Sequence, residues 1–181
     1  FPRRIAVITS PDGAAMHDII TVTRSRSADV ELVILPAAVQ GETAPDSLVA
    51  AIERLCRWRD ADLLIIGRGG GSREDLWAFN DERVARALAA SPIPTISAVG
   101  HETDISMCDL VADVRAATPS AAAEMAVPAR REVIARVAAL ANRLATAAKR
   151  REDRAVANLR QTQQRFASAG ARLAERRRAR L

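Results

Sequence analysis

The sequence predicts an α/β fold, in which a doubly wound and mostly parallel sheet is followed by a long helical extension. Two observations support this. In the first hundred residues, short runs rich in Val, Ile and Leu alternate with longer stretches of helical periodicity. From residue 129 to the end there is no proline and a single glycine. An apolar share of 49% over 181 residues is ample for one packed core.

Four short apolar runs lack the strict alternation of a half-exposed strand, which indicates strands buried on both faces. They are residues 4–9, 30–35, 62–66 and 94–99. Helices are predicted between these strands, at 14–26, 45–57 and 74–90. Strand–helix–strand alternation with short links requires right-handed crossovers and therefore a parallel sheet of Rossmann-like type. We assign residues 1–118 to this α/β domain.

Residues 119–181 form the predicted helical extension. Thr118-Pro119-Ser120 is typical of a helix start, with a short helix at 121–127 and a long one from 129 to 181. Apolar residues follow one another at steps of three and four, first Val133, Val137, Leu140 and Leu144, then Ala155, Leu159, Thr162, Phe166, Ala169 and Leu173. A helix of this length extends about 80 Å, so a coiled-coil-type partner is expected to cover its stripe. The alternative is a helix that packs only on its own domain.

Charge is distributed unevenly along the chain. The net charge of +5 divides into −5 for residues 1–118 and +10 for residues 119–181. A basic arm suits nucleic acid or an acidic partner, whereas a solvated arginine-rich helix is the simpler explanation.

Other features bear on location and context. The two cysteines, Cys56 and Cys108, lack metal-type spacing and sit in apolar helical patterns, as expected for reduced, buried thiols. No apolar run reaches the roughly 20 residues that span a bilayer, and no secretory signal is visible. We therefore predict a cytoplasmic protein without a membrane segment. Because the first residue is Phe1, the chain is expected to be part of a longer protein.

In open α/β sheets, ligands bind outside the carboxyl ends of the strands. After the third predicted strand comes a glycine-rich loop whose amides can converge on an anion, with Arg68 as a fork suited to phosphate. The predicted phosphate-binding residues are Gly69, Gly70, Gly71 and Ser72, where Ser72 also caps the following helix. A plain tight turn would explain the glycines equally well.

The loop after the fourth strand carries His101 and Asp104. A histidine three residues from an aspartate can be oriented for proton transfer near neutral pH. The alternative is a histidine that only satisfies loop carbonyls. Asp18, in the first predicted helix, could face the same sheet edge, although a helix aspartate is usually a solvated surface residue.

Several stretches together resemble the large-subunit family of exodeoxyribonuclease VII. They are residues 67–80 (GRGGGSREDLWAFN), 97–104 (SAVGHETD), 112–124 (ADVRAATPSAAAE), 8–18 (ITSPDGAAMHD) and 36–41 (PAAVQG). The resemblance covers residues 5–128 at the expected spacings, and the remaining helix resembles the start of that family's coiled region.

The resemblance implies an exonuclease that hydrolyses single-stranded DNA from both the 3′ and 5′ ends to oligonucleotides. It implies catalytic roles for Asp18, Arg68, His101 and Asp104. It also implies a small helical subunit as partner and an oligomeric assembly through the C-terminal helix. An N-terminal OB-fold domain is normal in the family and is absent from this chain.

Two other function classes stay open. One is a non-catalytic module that binds a phosphorylated ligand at the same edge, and the other is a structural platform for the basic helix. Magnesium is possible, because Asp18, Glu102, Asp104, Asp109 and Asp113 could gather as two-metal nucleases require. An ion pair with Arg115 is the simpler role for Asp109 and Asp113. We expect no required cofactor, because Arg68 and the loop amides already supply positive charge and the family resemblance points the same way.

Overall fold

A computed structural model describes residues 1–70, 73–100 and 104–178, without the side chains of 73–75 and 173–178. The chain divides into two compact units, Phe1–Arg130 and Arg131–Leu181. Within the described residues, no helix has both the length and the apolar character that a bilayer-spanning segment requires.

The first unit is built around a five-stranded sheet. The strands are β1 (Arg4–Thr9), β2 (Glu31–Pro36), β3 (Leu63–Gly67), β4 (Thr95–Ala98) and β5 (Val114–Arg115). Their order across the sheet is β2-β1-β3-β4-β5, and every neighbouring pair is parallel. The predicted α/β fold with a parallel sheet is confirmed, and the two-residue β5 was not predicted.

Helices connect the strands and follow the last one. They are α1 (Ala14–Arg26), α2 (Ala44–Trp58), α3 (Glu82–Ala89), α4 (Met107–Val111), α5 (Pro119–Ala126) and α6 (Arg130–Arg178). A 3₁₀ helix, Arg73–Asn80, precedes α3. The single helix predicted at 74–90 is therefore wrong in one respect, since it is interrupted. Asp81 adopts extended backbone and its side chain accepts a hydrogen bond from Arg83 N, so it caps a new helix at this point.

Alternate residues of the strands face opposite sides of the sheet. On one side, Ala6 and Ile8 of β1 pack with a core supplied mainly by α2, α3 and the 3₁₀ helix. On the other side, Ile5 and Val7 pack against residues of α1 and α5. Because helices cover both faces, the central strands are apolar throughout, which is why the sequence shows continuous apolar runs.

The first compact unit reaches beyond the boundary predicted at 118/119. Three alanines of α5, Ala122, Ala123 and Ala126, are buried in the core on the α1 side of the sheet. Arg26 Nε of α1 also donates a hydrogen bond to the carbonyl of Val127, at 2.6 Å. The short helix of the predicted extension thus belongs to the α/β unit, which ends at Arg130.

The second unit is helix α6. The apolar stripe predicted from the sequence lies on one continuous helix, and its large members are exposed, including Val137 (61%), Leu144 (71%) and Phe166 (74%). A partner for this stripe remains a prediction.

Candidate active site

The strand order defines the position of the site. The chain leaves β1 for β2 on one side and later returns to β3 on the other side of β1. Connections on opposite faces diverge at such a reversal and leave a crevice at the carboxyl ends of the two strands. The loops that follow β1 and β3 are residues 10–13 and the glycine-rich segment after Gly67.

The glycine-rich loop lies against the start of α1. A Cβ atom added to Gly69 would stand 3.5 Å from Ala15 N and 3.6 Å from Ala14 Cβ, so the two backbones approach closely. The N-cap of α1 is Gly13, which has no side chain to satisfy the first amides, and the first turn contains no acidic residue. A helix start of this kind favours an anion.

This arrangement differs from the expected phosphate site. The sequence suggested that the helix after the glycine-rich loop, capped by Ser72, would supply the amides. That helix is a 3₁₀ helix, and Gly71 and Ser72 lie outside the described residues. Gly69 and Gly70 lie in the loop as predicted, and the α-helix start beside Gly69 is that of α1.

Arg68 follows β3 directly and is 5% exposed. Its backbone N–H donates to Ala98 O at 3.4 Å, which continues the pairing of β3 with β4. A guanidinium this far from bulk water exerts a weakly screened field on its surroundings. Because little of its surface meets solvent, a direct fork contact with a phosphate requires that groups now covering the side chain move aside.

The ends of β3 and β4 are closely apposed. Gly67 pairs with Ala98, and a Cβ added to Gly67 would lie 2.9 Å from Ala98 O. Real Cβ atoms do not approach a backbone oxygen so closely, hence the position requires glycine. The loop that begins with Arg68 and the loop that begins after Ala98 therefore start side by side.

The loop after β4 doubles back on itself. A Cβ added to Gly100 would stand 1.8 Å from Asp104 O, so residues 100 and 104 are in contact through their backbones. Asp104 is half-buried at the end of this reversal. The predicted catalytic His101, together with Glu102 and Thr103, is not among the described residues.

A buried carboxylate lies beneath this loop. The Asp109 side chain, on α4, is 0% exposed. It accepts hydrogen bonds from Ser97 Oγ at 2.6 Å and from Ser106 N and Oγ at 2.9 and 2.8 Å. Its Oδ2 atom is also 3.9 Å from Arg115 Nε. The expected ion pair with Arg115 is thus present for Asp109, within a larger hydrogen-bonded group that the sequence did not suggest.

Asp113 has a separate role. Its Oδ2 atom accepts hydrogen bonds from the backbone N and the Oγ1 of Thr95, at 2.8 and 3.0 Å, at the start of β4. The expected pairing of Asp113 with Arg115 is replaced by this contact. Within residues 1–70, 73–100 and 104–178, no three His, Cys, Asp or Glu side chains gather as metal ligands would.

Asp18 lies about one turn into α1, on the helix whose start contacts Gly69, and its side chain is exposed. The neighbouring His17 is also exposed, with its Nδ1 atom 3.4 Å from Gly13 O. The structure thus puts Asp18 on an element that borders the crevice.

Neither cysteine has the character of a reactive thiol. Cys108 is fully buried, and burial raises the pKa of its thiol to about 12, with a further contribution from the charge of Asp109. Cys56 is half-buried, and both are free. Cys108 is therefore protonated at neutral pH, as expected for a structural residue.

Comparison with known proteins gives a consistent result. The family described as exonuclease VII, large subunit, matches residues 1–181. The exodeoxyribonuclease 7 large subunit of Brevibacillus brevis is 59% identical over 144 residues, which are 80% of this chain and 31% of that protein. Its counterpart from Latilactobacillus sakei subsp. sakei is 62% identical over 128 residues, 71% of this chain and 28% of that protein.

Among solved structures, a cobalamin-binding protein from Desulfitobacterium hafniense DCB-2 has a TM-score of 0.46 and 12% identity, covering 68% of this chain and 56% of that chain. A similarity this low bears on neither fold nor function. The chain spans about a third of the length of the curated relatives it matches. Since the family match extends over every residue, the chain belongs to the large-subunit family of exonuclease VII.

Proposed function

We propose that this chain is the catalytic core of an exonuclease that hydrolyses phosphodiester bonds of single-stranded DNA. Digestion proceeds from both the 3′ and 5′ ends and releases oligonucleotides. The relatives are named exodeoxyribonuclease 7 large subunits. The observation that carries the proposal is the meeting of the Arg68 loop, the start of α1 and the Gly100–Asp104 reversal at one sheet edge.

This edge holds the groups that phosphodiester hydrolysis requires. Negative charge builds on the phosphoryl oxygens during attack by water, and positive groups already in place lower that barrier. We assign this task to Arg68 and to the amides of the glycine-rich loop. His101 transfers the proton between water and the leaving oxygen, and Asp104 and Asp18 orient the histidine, the arginine or the water.

A preference for single strands has a structural basis in Trp77. This side chain is 77% exposed, whereas Leu76, Ala78 and Phe79 beside it are buried in the core. Trp77 lies on the 3₁₀ helix that follows the glycine-rich loop, and Asn80 Oδ1 of that helix accepts a hydrogen bond from Met107 N of α4. An exposed indole at this edge can stack on an unpaired base, which a duplex keeps within its own stack.

The reaction is proposed to need no divalent cation. Of the five carboxylates that could have formed a two-metal site, Asp109 and Asp113 accept hydrogen bonds from protein donors. Those contacts compete with metal ligation. Arg68 and the backbone amides supply positive charge where a cation would otherwise be needed.

Partners are proposed for the second unit. The relatives are called large subunits, which implies a smaller one beside them. The exposed stripe of α6 suits a small helical subunit, and its arginines favour an acidic partner or the DNA backbone. Assembly through α6 and a cytoplasmic location complete the proposal.

The test is digestion of end-labelled DNA by the complete large subunit together with its small subunit. We expect single strands labelled at either end to be shortened, duplex to survive, and activity to persist in excess EDTA. His101→Ala should abolish cleavage without changing the thermal melt. Cleavage that is lost in EDTA and restored by magnesium would reassign Asp18 and Asp104 as metal ligands. Near-normal cleavage by His101→Ala would remove the proton-transfer assignment.

A further inference from the structure

The segment that carries His101 and Asp104 is joined to the fold at two points. It leaves β4 after Ala98 and reaches α4 at Ser106, which caps that helix. We infer that Asp109 is a positioning residue, which holds both ends of this loop and so fixes its proposed catalytic side chains. The inference rests on the proposed function, since it concerns the same site.

One carboxylate contacts both sides of the loop. Its Oδ1 atom accepts a hydrogen bond from Ser97 Oγ, three residues before Gly100, at 2.6 Å. Its Oδ2 atom accepts from the backbone N of Ser106, two residues after Asp104, at 2.9 Å. Because Ser97 and Ser106 are bound to the same side chain, the intervening chain must close as a loop of fixed span.

The carboxylate also contacts the loop itself. A Cβ added to Gly100 would lie 2.8 Å from Asp109 Oδ2 and 1.8 Å from Asp104 O. The first and last residues of the reversal are thus packed together directly above Asp109. A displacement of this side chain would be transmitted to Asp104 through backbone atoms, without a flexible side chain between them.

Helix capping alone does not account for these contacts. A capping box needs only the reciprocal bonds between Ser106 and Asp109. Here the Asp109 side chain is 0% exposed and uses its second oxygen for Ser97, on a different element. Burying a carboxylate is costly unless donors surround it, and the donors chosen here are the two serines that flank the loop.

Asp113 offers a matched control. Its carboxylate accepts two hydrogen bonds from Thr95, on the same strand that carries Ser97. Thr95 lies at the start of β4, at the opposite end from the loop. Replacing Asp113 therefore removes a comparable pair of bonds to β4 while leaving the contacts of the loop untouched.

The experiment compares Asp109→Asn with Asp113→Asn in the complete enzyme. The asparagine introduced by Asp109→Asn would direct an amide donor at one of the serine donors, so the loop must shift to relieve the conflict. Because a displacement of about 1 Å in a catalytic group can cost about 100-fold, we expect kcat on a single-stranded oligonucleotide to fall 10-fold or more, with KM within about threefold. Asp113→Asn should keep kcat within about twofold. Equal kcat values for the two folded variants would refute the positioning role.

A second readout does not depend on activity. The chain contains two histidines, His17 and His101, so its imidazole NMR spectrum is simple. In the 181-residue chain at neutral pH, Asp109→Asn should move the His101 resonances and leave those of His17 in place. Unmoved His101 resonances would contradict the inference even if the wild-type enzyme cleaved no DNA, whereas a wild-type enzyme without activity would count only against the proposed function.

Should Asp109→Asn fail to fold, Ser97→Ala provides a milder change. It removes the bond on the strand side of the loop and leaves the Ser106 cap intact. We expect a smaller loss of kcat, about three- to tenfold, with the same movement of the His101 resonances. Wild-type kcat and unmoved resonances in Ser97→Ala would overturn the inference.

Discussion

Replacing Gly100 by alanine should separate folding from function at the proposed site. The new methyl group would meet a backbone oxygen, Asp104 O, at 1.8 Å, and the carboxylate of Asp109 at 2.8 Å. Side-chain rotation cannot relieve the first contact, because Gly100 and Asp104 meet there through the backbone. The loop must therefore change its path.

The size of the effect follows from these distances. Contacts shorter than 3.0 Å are essentially absent from real Cβ atoms, so the two atoms must move apart by at least about 1.2 Å. A displacement of this order in a catalytic group costs about 100-fold in rate. The strands and helices need not move, since the overlap is confined to the loop and to Asp109. We expect a loss of kcat of about two orders of magnitude with a modest decrease in melting temperature.

The assay is single-turnover cleavage of an end-labelled single-stranded oligonucleotide by the complete enzyme, with a thermal melt in parallel. Gly170→Ala is the control, because a Cβ at that position of α6 meets nothing within 4 Å. It should leave cleavage unchanged. Cleavage by Gly100→Ala within threefold of the wild type would show that the path of residues 100–104 does not govern the chemistry.

Three further predictions concern other parts of the first unit. With Trp58→Phe, Trp77 becomes the sole tryptophan of the 181-residue chain, and its fluorescence should be quenched by oligothymidine but not by an abasic oligonucleotide of equal length. Equal quenching by both would exclude base stacking. Of the two thiols, only that of Cys56 should react with a thiol reagent in the folded protein, because burial raises the pKa of Cys108 to about 12; rapid labelling of both would contradict the buried placement. Hydrogen bonds from the backbone N–H groups of Arg4 and Arg3 lower the pKa of Asp62, so its contribution to stability is present above about pH 4 and is lost as the pH falls through its folded pKa. Urea midpoints measured from pH 5 to pH 2 should fall less steeply for Asp62→Asn than for the wild type, and parallel curves would show that Asp62 is not linked to folding.

The sequence was sufficient for the elements whose boundaries follow from apolar pattern. The bounds of β1 and α1 agree with those predicted, because apolar runs end abruptly at Ser10 and at Ser27. Pattern was insufficient where a local hydrogen bond decides the backbone. The cap at Asp81 divides the third predicted helix, although apolar residues continue at helical spacing on both sides. Strand β5 has two residues, too few for any periodicity to register.

The predicted site shows the same division. Arg68 and Asp104 could be proposed because strand-end loops and residue chemistry are both readable from sequence, and their catalytic roles remain predictions. The group around Asp109 could not be found in this way. Its local signal, serine followed by aspartate three residues later, is that of an ordinary helix cap. The contact with Ser97 joins residues 12 positions apart in sequence and depends on how α4 packs beside β4.

The edge of the sheet at β5 also limits self-association. An open edge strand presents unpaired amides to which another chain can add a strand, and such addition leads to aggregation. Here β5 offers only Val114 and Arg115, and the backbone N–H of Thr95, one residue before the paired part of β4, donates to the Asp113 side chain. A strand arriving from a second molecule would find little to pair with and would have to displace a carboxylate. This edge is thereby protected against growth into a larger intermolecular sheet, and Asp113→Asn, which weakens that protection, should be watched for aggregation as well as for stability.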